Sequence, residues 1–112
     1  MPEPDHIVKR GDKGTQITAT LEDEDGVPAN LTGAAVSFRM APLAGGSLIV
    51  SAAATIVGVA TLGNVAYTWA TADTDEAGFY AGEWQVTYGG GNIQTHPNGG
   101  YTVIQIPPDL PL

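Results

Sequence analysis

The feature that most constrains this chain is a period of two. Ile17, Ala19 and Leu21 alternate with Gln16, Thr18 and Thr20, and Val36, Phe38 and Met40 alternate with Ala35, Ser37 and Arg39. Further on, Val65, Tyr67 and Trp69 alternate with Ala66, Thr68 and Ala70. Tyr80, Trp84, Val86 and Tyr88 then share one side, with Glu83, Gln85 and Thr87 on the other. Successive side chains of a strand point to opposite faces, so the pattern specifies strands with one buried face. No long helical period competes with it.

Turn chemistry separates these runs. Asp25-Gly26, Pro42 with Gly45-Gly46, Gly63-Asn64 and Gly89-Gly90-Gly91-Asn92 fall between them. Such residues close turns because glycine takes positive φ without penalty and proline pre-sets its own. Leu48-Ile49-Val50 is a short apolar stretch, and 52–59 reads as a further strand. Residues 71–77 read as a turn or a single helical turn, with Thr71 or Asp73 as cap and Gly78 as its close. Ile93–His96 begins a return strand, Pro97-Asn98-Gly99-Gly100 interrupts it, and 101–106 finishes it. Pro107, Pro108 and Pro111 stop further pairing.

At 112 residues the chain has the size of one domain. Short strands with turn signals about every eight to twelve residues predict an all-β fold, an antiparallel immunoglobulin-like β-sandwich of about seven to eight strands. The predicted core is Ile17, Leu21, Val36, Phe38, Val65, Tyr67, Trp69, Tyr80, Trp84, Val86, Ile104 and Ile106. The single domain spans 1–112, with a short N-terminal arm (1–12) and a proline-rich C-terminal tail (107–112). Tyr80 stands at a corner before a long strand, as in the tyrosine corner of immunoglobulin-like sandwiches. Gly82 takes the place of the cysteine that follows in antibodies.

Charge narrows the functional classes. Charged residues make up only 14% of the chain, against about 25% in an average soluble domain, so much of the surface is neutral and suited to packing on neighbours. The net charge is -8, and a reader of phosphate backbones needs clustered Lys and Arg, so nucleic acid is not an expected partner. Lys9, Arg10 and Lys13 form a small local patch, read as a structural contact or solvated edge. The absence of cysteine excludes disulfides, thiolate metal sites and a cysteine nucleophile. Met1-Pro2-Glu3-Pro4-Asp5 lacks the basic start and apolar run of a signal peptide, and no apolar stretch approaches the roughly 18 residues of a membrane helix. Synthesis in a cytoplasm without membrane insertion is the expectation.

No residue is assigned a catalytic, cofactor-binding or metal-ligating role. The acidic run 22–25 and the group Asp73, Asp75 and Glu76 offer carboxylates of the kind Ca²⁺ prefers, and one ion site would follow if the fold joined them. The run lacks the EF-hand spacing, and a solvated hairpin tip is the favoured reading. His6 and His96 stand alone, outside any metal spacing, and His96 is expected at the surface or in a hydrogen bond. Ser37, Ser47 and Ser51 lie in no nucleophile elbow. Gly89-Gly90-Gly91 lacks the Lys-Ser/Thr and helix of a phosphate loop. Trp69, Tyr80, Trp84, Tyr88 and Tyr101 would make a sugar-stacking platform if exposed, but most occupy inward positions, which favours core packing.

A set of ordered motifs adds a family resemblance. They are Val8-Lys9-Arg10-Gly11-Asp12-Lys13-Gly14, Thr18-Ala19-Thr20-Leu21-Glu22-Asp23-Glu24-Asp25-Gly26-Val27-Pro28, and Asn30-Leu31-Thr32-Gly33-Ala34-Ala35-Val36 with Phe38-Arg39-Met40. Tyr67-Thr68-Trp69, Asp73-Thr74-Asp75-Glu76-Ala77-Gly78-Phe79-Tyr80, Glu83-Trp84-Gln85-Val86-Thr87-Tyr88 and Thr95-His96-Pro97-Asn98-Gly99-Gly100-Tyr101 continue it. Across residues 8–106 the chain resembles the N-terminal domain of phage baseplate upper proteins. The resemblance implies a non-enzymatic structural virion protein of a tailed phage: a baseplate or tail, head–tail junction or capsid-decorating subunit. Its partners would be other virion proteins and copies of itself in a symmetric assembly, and its place the virion. Because the chain ends near Leu112, where family members usually continue, a stand-alone virion part is expected. The arm and residues 106–112 are expected to dock on neighbours, since extended arms add to sheet edges. The rival expectation is a carbohydrate-binding sandwich module for host-surface attachment, which needs a row of exposed aromatics; burial of Trp69 and Trp84 would count against it.

Overall fold

The alternating runs form strands in the computed structural model, which describes residues 3–23, 25–97 and 100–108. The strands are β1 (His6–Ile7), β2 (Gln16–Thr20), β3 (Ala35–Pro42), β4 (Val50–Ala53), β5 (Thr55–Ile56), β6 (Asn64–Thr68), β7 (Gly78–Thr87), β8 (Ile93–His96) and β9 (Thr102–Ile106). Among the described residues that is one strand beyond the predicted range, plus a single 3₁₀ turn at Ala60–Leu62. One sheet has the order β1-β9-β7-β3-β4, with β8 also paired to β7; the other has the order β2-β6-β5. The molecule is a β-sandwich.

The long strand β7 organises the larger sheet. One of its edges pairs with β3 from Ala35↔Thr87 to Pro42↔Tyr80. The other carries β8 (Trp84↔His96 to Thr87↔Ile93) and then β9 (Gly78↔Ile106 to Gly82↔Thr102). β8 and β9 are thus one return strand broken at Pro97, as the sequence predicts, and proline causes the break because it cannot donate to the ladder. The tip of the return turns at Gly91, whose N–H donates to the Tyr88 carbonyl at 2.8 Å.

Every residue predicted as core is buried, and Val8, Leu31, Met40 and Val50 join them. The centre is an aromatic cluster spanning both sheets. Phe38 stacks on Tyr67 with ring centroids 5.1 Å apart, and lies 4.8 Å from Trp84 and 5.8 Å from Trp69. Tyr67 and Trp69 come from the β6 side, Phe38 and Trp84 from β3 and β7, so ring contacts tie the layers together. Gly82 makes room for this packing: a Cβ there would lie 2.7 Å from Ile104 Cδ1 and 3.2 Å from the Phe38 ring.

Two expectations need correction. The arm is not free to dock elsewhere: β1 pairs parallel with β9 of the same chain, His6↔Ile104 and Ile7↔Gln105. The Asp5 N–H donates to the Val103 carbonyl at 2.7 Å, the Val103 N–H returns to Asp5 Oδ2 at 2.8 Å, and Val8 is buried. The open edge of β9, distant in sequence but adjacent in the fold, satisfies the arm's own backbone groups. Second, the strand predicted over 52–59 is two strands in different sheets, because the chain crosses between layers at Ala54. Leu48 and Ile49, ahead of it, are exposed. Ile106 ends β9 and is buried, as predicted, and of the tail 107–112 residues 109–112 lie outside the described residues. Residues 71–74 form turns rather than a helical turn.

Candidate functional site

The tyrosine corner forms. The Tyr80 hydroxyl donates to the Glu76 carbonyl at 2.6 Å, locking the β6–β7 connection to the start of β7. The same connection uses its acidic residues internally. Asp73 Oδ2 accepts the Tyr67 hydroxyl at 2.5 Å and the Ala70 N–H at 2.8 Å. Burial, with the Asp73 hydrogen bond and charge behind it, pushes the Tyr67 phenol well above its ordinary range; burial, then Glu76, does the same more mildly for Tyr80. The arm closes over this connection: Arg10 Nε donates to the Asp75 carbonyl at 2.7 Å, and the buried Thr74 hydroxyl donates to the Asp12 carbonyl at 2.8 Å. For Arg10, the basic patch is therefore a structural contact.

The other acidic run is also self-contained. Asp23 Oδ1 accepts the N–H groups of Asp25 and Val27 at 2.9 and 3.0 Å, so this carboxylate holds its own loop. Glu24 lies outside the described residues. The two acidic groups do not meet. Register places Thr20 beside Asn64 and Gln16 beside Thr68, so the 22–25 loop follows one end of β6 and Asp73 follows the other. The described residues contain no group of three or more His, Asp or Glu placed to hold a metal ion.

The sequence understates His96. The register Trp84↔His96 turns its ring inward, and it is 2% exposed rather than at the surface. Its Nε2 has no hydrogen-bond partner among the described residues. Burial holds its pKa below the ordinary value, opposed in part by a hydrogen bond to the Glu22 backbone. The ring lines a cleft of about 290 Å³ between β2 and the β8–β9 return, with Leu21, Glu22, Asp23, Trp84 and Thr102 among its walls. Among the described residues no hydroxyl is hydrogen-bonded to Nε2. The signal that would have found His96 is its parity: it continues the inward set of the return strand.

Of the five aromatics, Trp69, Tyr80 and Trp84 are buried and Tyr88 packs half-buried on the core. Tyr101 alone of the five is exposed, so no aromatic row faces solvent. No described helix is long and apolar enough to cross a membrane. No protein-family model matches the chain, and no curated protein matches it.

Proposed function

We propose that the chain is a non-enzymatic structural part of a tailed-phage virion, a baseplate or tail, head–tail junction or capsid-decorating subunit that acts through protein–protein contacts. The observation that carries the reading is the division between inside and outside. Several groups able to do chemistry are spent on the fold: Asp23 and Asp73 on their loops, Tyr67 and Tyr80 on corner bonds, both tryptophans on the core. The outside instead offers apolar contact surface, with Val57, Val59 and Leu62 all exposed within six positions around β5 and the 3₁₀ turn. The family motifs give the contact surface its setting, and symmetric repetition in a particle multiplies modest contacts. A carbohydrate-binding role loses its premise, since the stacking platform it needs is at 1% exposure for Trp69 and Trp84. Quantitative mass spectrometry of purified particles, scaled to the major capsid protein, tests the proposal. A fixed stoichiometry is expected; absence of the chain from particles would refute it. Removal of 107–112 is expected to weaken incorporation while leaving the fold intact.

A further inference from the structure

We propose that β2 is a self-pairing edge, through which two copies of the chain join antiparallel about Thr18 into one continuous sheet. The proposal goes beyond the virion reading and stands on the geometry of the chain alone. Hydrogen-bonded pairs alternate along an antiparallel ladder. The Leu21 N–H donates to the Gly63 carbonyl at 2.8 Å and the Trp69 N–H to the Thr15 carbonyl at 2.9 Å. Ile17 and Ala19 therefore turn their backbone groups toward β6, and Gln16, Thr18 and Thr20 turn theirs away. Those outward groups have no partner among the described residues. Natural edges are usually protected by charge, proline or a bulge. β2 reads Gln-Ile-Thr-Ala-Thr and has none of these within it.

The edge is complementary to itself. Outward-turned residues must face outward-turned residues, and one antiparallel register matches all three: Gln16 opposite Thr20, Thr18 opposite Thr18, Thr20 opposite Gln16. This forms about six backbone hydrogen bonds and a Thr–Thr and two Gln–Thr cross-strand pairs on the exposed face. The flanks agree. The register carries Lys13 of one copy toward the end where the other has Glu22 and Asp23, and all three are exposed. The edge of β4 has no such flanks: 43–49 and 54–59 contain no charged residue. β1 and β5, at two residues each, offer less.

The chain has no cysteine, so single introduced thiols report the register cleanly. Paired residues bring Cα atoms to about 5.5 Å, within disulfide reach, whereas Thr20 and its own copy would stand roughly 13 Å apart. Under mild oxidation of the purified full chain, Thr18→Cys is expected to cross-link about tenfold more than Thr20→Cys alone. A mixture of Gln16→Cys and Thr20→Cys is expected to recover the dimer. Adding Lys13→Glu to Thr18→Cys should lower its yield roughly fivefold by placing like charges at both flanks. Tryptophan fluorescence confirms that each variant is folded. A folded Thr18→Cys chain that stays reduced, or that cross-links no better than Thr20→Cys, overturns the proposal and leaves the edge to a strand from a different protein. Particle counts are unaffected by either result, so failure here is distinct from failure of the virion reading.

Discussion

Gly63 offers the sharpest test of how the two sheets are joined. It ends the 3₁₀ turn, donates to the Ala60 carbonyl, and accepts the Leu21 N–H at 2.8 Å. Its φ is +71°, and a Cβ built there would lie 2.5 Å from the Leu21 carbonyl oxygen and 3.1 and 3.2 Å from Ala29 backbone atoms. Two penalties therefore act on Gly63→Ala. A side chain in the left-handed region costs about 1–2 kcal/mol. Forcing a methyl against backbone, which cannot swing aside, costs about 1–3 kcal/mol more. Gly58→Ala is the control: its φ is +69°, but nothing lies within 4 Å, so it bears only the first penalty. The gain from restricting the unfolded chain is common to both and cancels. Gly63→Ala should lose about 2–5 kcal/mol, a large share of the roughly 5–15 kcal/mol a domain of this size has. At about 4 °C per kcal/mol, Tm falls by roughly 8–20 °C for Gly63→Ala and by about half that or less for Gly58→Ala. Urea unfolding followed by tryptophan fluorescence measures it, since Trp69 and Trp84 are buried reporters. Equal losses in the two variants would refute the backbone clash and with it the close packing of 21–29 on the end of β6.

Tyr80→Phe removes the bond to the Glu76 carbonyl and should cost about 1 kcal/mol in the same urea assay, with the fold retained. Phe38→Ala should cost about 3–5 kcal/mol, because Phe38 contacts aromatic rings from both layers. Tyr67 and Tyr80 are held above the ordinary value of 10.0, so the folded state keeps protons that the unfolded state releases. Their contribution is full below about pH 10 and is lost as pH rises above it, which urea midpoints measured on either side will show. His6 and His96 are held below 6.5, so their contribution is present above that pH and is lost as pH falls below it. His96→Phe should flatten that acid loss, compared by urea midpoints near pH 7 and near pH 5.

The candidate site was less legible in the sequence than the fold. The acidic runs were visible as composition, but whether they met depended on the pairing of β2 with β6, which sends them to opposite ends. His96 read as an isolated strand-end residue; its burial follows from its register with Trp84. The open edge of β2 was likewise invisible, since the residues of an edge strand and a central one alternate in the same way.

What the sequence by itself determined was which side of each strand is buried. Alternation at Ile17, Val36, Phe38, Tyr67, Trp84 and Val86 is a local property of the pleat, and turn residues limit each run without reference to distant parts of the chain. The break between β8 and β9 was local too, because proline lacks the donor that pairing needs. Only the tertiary structure decided sheet membership. The crossing at Ala54, the parallel docking of β1 on β9 and the burial of Val8 and Leu31 depend on which edges remain open once the long strands have paired. That is a competition among non-local partners for backbone hydrogen bonds and apolar cover, and a period of two carries no record of its outcome.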